Sequence, residues 1–150
     1  MKRRVKGAPE FVIGIDPGAN TGYAFMIAGK LKACEAEIPI RIEERVLLIR
    51  AAVLDKLTVI VEDTRKFFLP RHLRQNNGQM DKGVGQVHAE MRRWEQFCAH
   101  HKIECIMQKP YRGIKKKARA EDFKVDFPEY EGRTNGHGRD AAYLAASIGR

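Results

Sequence analysis

Residues 11–16, Phe-Val-Ile-Gly-Ile-Asp, run apolar without alternation and stop at Pro17-Gly18, which predicts a buried strand ended by a turn. Thr21 to Ile27 and Leu31 to Glu37, joined through Gly29-Lys30, predict two further strands of an antiparallel meander. Ile42, Val46, Ile49, Val53 and Leu57 recur at spacings of three and four, so an amphipathic helix is expected over 42–56. It leads straight into a strand over 58–62, Thr-Val-Ile-Val-Glu. After a polar, basic loop (63–83), Val84, Val87, Met91, Trp94 and Cys98 form one stripe of a helix over 84–101. Most of that stripe is expected in the core, though Met91 or Trp94 could reach a partner. Ile103 to Met107 predicts a short strand, 108–135 a loop with one helical turn near 118–124, and 137–148 a last, Ala-rich helix.

The order βββαβαβα defines an α/β chain with a mixed five-stranded sheet and helices on both faces. A right-handed crossover would set strand 58–62 beside strand 11–16, bringing Glu62 next to Asp16. Two carboxylates at the tips of buried strands are costly unless a cation, an ion pair or hydrogen bonds compensate them. His137 and Asp140, at i and i+3, share a face at the start of the last helix and bring the candidate metal ligands to four. Hard carboxylate oxygens suit Mg²⁺, so the set points to a Mg²⁺-dependent nuclease site. Plainer roles compete at each position: turn chemistry for Asp16 before Pro17-Gly18, a surface strand end for Glu62, helix capping for His137 and Asp140. Asp63 would face the opposite way from Glu62 if the strand continued.

Charge makes a nucleic acid the expected partner. The 150 residues carry 28 Lys+Arg against 19 Asp+Glu, a formal net charge of +9, which favours a polyanion through phosphate neutralisation. That length suits one domain over 1–150, with 1–10 a flexible basic tail around Lys2, Arg3, Arg4 and Lys6. Cys34, Cys98 and Cys105 show no Cys-x-x-Cys spacing and read as reduced, buried thiols. The first apolar run is broken at Asp16, too early for a signal peptide or a membrane span, so a cytoplasmic location is expected.

Gly14-Ile15-Asp16-Pro17-Gly18-Ala19-Asn20-Thr21-Gly22-Tyr23-Ala24 resembles the opening of the RuvC family of Holliday junction resolvases. Later segments agree in order: Val61-Glu62 with the family's second acid, Gly85-Gln86-Val87 with its Gly-Gln-Ala helix opening, and His137-Gly138-Arg139-Asp140-Ala141-Ala142-Tyr143-Leu144-Ala145 with its His-Ala-Ala-Asp-Ala-Leu-Ala end. The likeness spans most of 11–148. It implies an RNase H-like fold and a homodimer that resolves four-way DNA junctions by paired nicks, leaving 5′-phosphate and 3′-hydroxyl ends. It also implies two Mg²⁺ ions per site, replaceable by Mn²⁺, held about 4 Å apart by the carboxylates of Asp16, Glu62 and Asp140, with His137 binding one ion or positioning the attacking water. His137 stands where some members have a carboxylate.

The densest basic run, Lys109 to Arg119, lies where the family grips phosphate. Lys109, Arg112, Lys115, Lys116, Lys117 and Arg119 are therefore candidate DNA contacts, and Arg65, Lys66, Arg71, Arg74 and Lys82 extend the positive surface. A solvated basic loop would look the same. Phe67 and Phe68 stand five and six residues after Glu62, whereas the family's base-stacking aromatic follows its second acid by three; they either stack on a junction base or fold onto the core. Rival readings are another nuclease of this fold, cutting other branched DNA or RNA–DNA hybrids, and a catalytically silent branched-DNA binding module.

Overall fold

The computed structural model describes residues 7–66, 78–109 and 118–148, with the backbone alone described at 66, 78–84 and 87. The strands are β1 (Phe11–Asp16), β2 (Thr21–Ile27), β3 (Lys30–Glu37), β4 (Leu57–Glu62) and β5 (Glu104–Gln108), joined in one sheet of order β3-β2-β1-β4-β5. The meander β1-β2-β3 is antiparallel, while β4 runs parallel to β1 and β5 parallel to β4. The helices are α1 (Pro39–Val53), α2 (Gly78–His100), α3 (Ala120–Asp126) and α4 (Gly136–Ala146).

Alternation along the strands divides the core in two. Ile13 and Ile15 of β1, with Val59 and Val61 of β4, pack against Ile42 and Val46 of α1 and Trp94 and Cys98 of α2. Val12 and Ile60 face the other way, onto Phe123 and Phe127 around α3 and Ala141, Ala142 and Ala145 of α4. Helices therefore cover both faces, as the element order requires.

Three expectations change. Helix α1 begins at Pro39, a residue suited to a first helical turn because its missing N–H would be unbonded there. It ends at Val53, where Leu54 takes a left-handed backbone conformation (φ 58°) and opens a short 3-10 turn over Leu54–Lys56. Helix α2 starts at Gly78, inside the segment expected to be loop and before the apolar stripe begins. Met91 and Trp94 are both fully buried in the core, so neither reaches a partner.

The basic tail expected over 1–10 is described only from Gly7, and Glu10 already belongs to the fold: its carbonyl accepts the Ala28 N–H at 2.7 Å. Among the described residues no helix is long and apolar enough to cross a membrane.

Small residues set how closely α4 approaches the sheet. A methyl built on Gly14 would run into the Ala141 carbonyl oxygen, and one on Gly22 into the His137 carbonyl. A Cβ on Gly138 would lie 2.9 Å from the Glu35 nitrogen on β3. Gly14→Ala should therefore cost about 1–3 kcal/mol by overpacking. Gly85→Ala, on α2 with nothing within 4 Å of the added Cβ, should be neutral or stabilising by up to about 1 kcal/mol through helix propensity. Chemical denaturation of the two variants checks the contrast, and equal midpoints would contradict this packing.

Candidate active site

The strand register brings the first two acids together. In the parallel β1–β4 pair Ile15 lies opposite Val61, so Asp16 and Glu62 follow side by side at the carboxyl ends of adjacent strands. Asp16 has the parity of Val12, and Glu62 that of Ile60, which directs both carboxylates to the face covered by α4. Asp63 has the opposite parity and belongs to the face of α1 and α2. The turn after Asp16 is closed by fully buried Thr21, whose hydroxyl donates to the Gly18 carbonyl at 2.8 Å.

Helix α4 supplies the other two residues. Its cap is Asn135, whose side chain accepts the Gly138 N–H at 2.8 Å. Neither His137 nor Asp140 is the capping residue, which removes the plainest alternative for both. Because Gly22 admits the start of α4 directly onto β2, His137 reaches Asp16: Nδ1 lies 3.1 Å from Oδ2. Arg139, between them, points away and ties α4 to the segment before α3, donating to the Ala118 carbonyl at 2.8 Å and the Thr134 hydroxyl at 2.9 Å.

The electrostatics centre on Asp16. Burial pushes its carboxyl up to about 6, the His137 hydrogen bond holds it back, and the charges of Glu62 and Asp140 push it further up. Three carboxylates thus share one field, and His137 is hydrogen-bonded to Asp16 among them. The Asp16 side chain is 18% exposed and that of His137 55%, so the cluster is open to solvent on one side. As arranged, no three His, Cys, Asp or Glu side chains among the described residues converge tightly enough to cage a metal ion. The donor chemistry nonetheless fits a hard divalent cation, since a positive charge would relieve the mutual repulsion that raises Asp16.

The remaining candidates fall in different places. Lys109 and Arg119 are exposed at the two edges of the basic run. Arg65 makes a fork to Asp63 and also meets Glu95. Phe67, Phe68, Arg71, Arg74, Arg112, Lys115, Lys116 and Lys117, and the side chains of Lys66 and Lys82, lie outside the described residues. Sequence reasoning missed Asn135, whose cap orients His137, and the close-packed Gly14, Gly22 and Gly138. An Asn one residue before a Gly-rich helix start was the available signal for the cap.

A mixed sheet of order 3-2-1-4-5 with helices on both faces is an α/β fold of the RNase H-like type. Within it the fold is RuvC-like. Among solved structures the chain is similar to T. thermophilus RuvC in complex with Holliday junction substrate, with 19% identity, a TM-score of 0.57, and coverage of 91% of this chain and 90% of that one. No family model and no curated protein matches the chain.

Proposed function

We propose that this protein is a divalent-metal-dependent endonuclease that resolves four-way DNA junctions by paired nicks, acting as a homodimer. The observation that carries the reading is Asp16 at the tip of β1, its carboxyl pushed up to about 6 by burial and by Glu62 and Asp140. A cation bound there would offset the burial and mutual repulsion of these carboxylates and stabilise their ionised form. The RuvC-like fold, and the junction bound by the T. thermophilus protein, support the choice of substrate.

Asp16, Glu62, Asp140 and His137 would hold the metal, with Asp16 central among them. Mg²⁺ there, or Mn²⁺ in its place, would supply activation of a water and neutralisation of charge on the departing 3′-oxygen, and the products would carry a 5′-phosphate and a 3′-hydroxyl. The chain's own residues orient the reaction. His137, more than half exposed and hydrogen-bonded to Asp16, is placed to steer a carboxylate or a water. Lys115, Lys116, Lys117 and Arg119, flanked by Lys109 and Arg112, would neutralise backbone phosphates. Phe67 or Phe68 would stack on an unpaired base, the alternative being that they fold onto the core. A junction has two-fold symmetry, so two coordinated nicks need two copies of the site. The chain would form one domain and act in the cytoplasm.

Cleavage of matched four-way, forked, linear and RNA–DNA hybrid substrates with Mg²⁺ tests this reading. Symmetric nicks confined to the four-way junction and resealed by ligase are expected. Preference for forks or hybrids would assign another nuclease activity, and junction binding without cleavage a silent binding module.

The triple variant Lys115→Ala, Lys116→Ala, Lys117→Ala should bind junctions more weakly. Its log–log salt dependence should flatten by roughly one unit per lost phosphate contact. Binding titrations across salt concentrations check this, and an unchanged slope would reduce the run to a solvated loop.

A further inference from the structure

Arg65, three residues past Glu62, reads in the sequence as part of a DNA-facing basic surface. Its contacts point elsewhere. Nε and NH2 donate to Oδ1 and Oδ2 of Asp63, each at 2.9 Å, and NH2 also donates to Oε2 of Glu95 on α2 at 2.8 Å. Asp63 is 1% exposed. Its Oδ1 also accepts the Arg65 backbone N–H at 3.1 Å, and its own N–H donates to the Gln108 carbonyl at 2.8 Å. One guanidinium therefore joins the end of β4 to α2, and through Asp63 to the end of β5. Two carboxylates engage its donors, so this guanidinium is ill placed to grip a phosphate.

We propose that Asp63, Arg65 and Glu95 form a positioning clamp that fixes the backbone at Glu62 and so directs its carboxylate towards Asp16. Side chains alternate, so holding Asp63 on the α2 face holds Glu62 on the α4 face. The planar fork is what a buried carboxylate needs, because it satisfies both oxygens at once while leaving a donor for Glu95. Arg65 touches no reacting atom; it acts through Glu62. This inference rests on Glu62 being a metal-holding residue.

The test uses the full-length protein and the variants Arg65→Ala, Arg65→Lys, Glu95→Gln and Glu62→Gln. Glu95→Gln keeps the Asp63–Arg65 fork and guards against a variant that fails to fold. Mn²⁺ affinity is measured by calorimetry without DNA, amide exchange by NMR, and junction binding across salt concentrations without divalent ions. Arg65→Ala is expected to lose about tenfold or more in Mn²⁺ affinity, in the range found for residues that orient metal ligands. Arg65→Lys and Glu95→Gln should lose less. The Glu62 and Asp63 amides should exchange faster in Arg65→Ala while those of Val59 to Val61 stay protected, and the salt slope of junction binding should stay at the wild-type value. A slope lower by about one unit with unchanged Mn²⁺ affinity would make Arg65 a phosphate contact and overturn the clamp. Mn²⁺ affinity lost in Glu62→Gln but kept in Arg65→Ala would also overturn it. Affinity kept in both would instead overturn the assignment of Glu62 as a metal-holding residue, and the inference with it.

Discussion

Asp16→Asn is expected to abolish junction cleavage, leave junction binding at or above the wild-type level, and raise the stability of the metal-free protein. The first two effects follow from separate tasks: Asp16 sits among the cation-holding groups, whereas phosphate contacts position the DNA. The third follows from linkage. The folded carboxyl is pushed up to about 6 from the usual 3.8, so between those values the native state binds more protons than the unfolded one. Stability from this group is therefore greatest below about pH 4 and is lost as pH rises through 6. Above that range the ionised Asp16 costs on the order of 3 kcal/mol, which the neutral amide removes. Denaturation at pH 5 and pH 8 without divalent ions, for wild type and variant, checks this. The wild type should lose the Asp16 contribution at the higher pH, and Asp16→Asn should not. An enzyme that still cuts with Asn at this position would exclude Asp16 from the chemistry.

His137→Ala is expected to lose roughly 10- to 100-fold in cleavage rate, the range for residues that hold or orient metal ligands, without unfolding. The ring lies at the exposed start of α4 and contributes a hydrogen bond to Asp16 rather than core volume. His137→Asp should retain substantial Mg²⁺-dependent cleavage, because a carboxylate can take the same place. The two should differ from wild type in acid. A histidine must be neutral to bind a cation, so the wild-type rate should fall more steeply below neutrality than that of the Asp variant. Rates across pH for the three proteins decide the point. If His137→Ala cuts as fast as wild type, His137 has no part in the site and Asp122 or Asp126 becomes the next acid to test, since Asp63 lies on the other face in the fork of Arg65.

The sheet was legible because its strands are short apolar runs ended by turn residues, and a right-handed crossover leaves little freedom for β4 once β1 is placed. That adjacency put Asp16 beside Glu62 from the sequence alone. Spacing also put His137 and Asp140 on one helix face, but it could not show that Gly14, Gly22 and Gly138 let α4 descend far enough for His137 to touch Asp16, since those contacts link residues remote in sequence. The start of α2 was missed because residues 78–83, Gly-Gln-Met-Asp-Lys-Gly, carry no apolar stripe. Arg65 was read by its charge, and only its geometry reveals the two carboxylates that occupy it.

The most direct test of the central claim is a crystal structure of the protein soaked in Mn²⁺, read by anomalous scattering. The account predicts Mn²⁺ bound against Asp16, with Glu62, Asp140 and His137 completing its protein contacts. A well-ordered site in which the His137–Asp16 hydrogen bond persists and no Mn²⁺ binds at saturating concentration would contradict it.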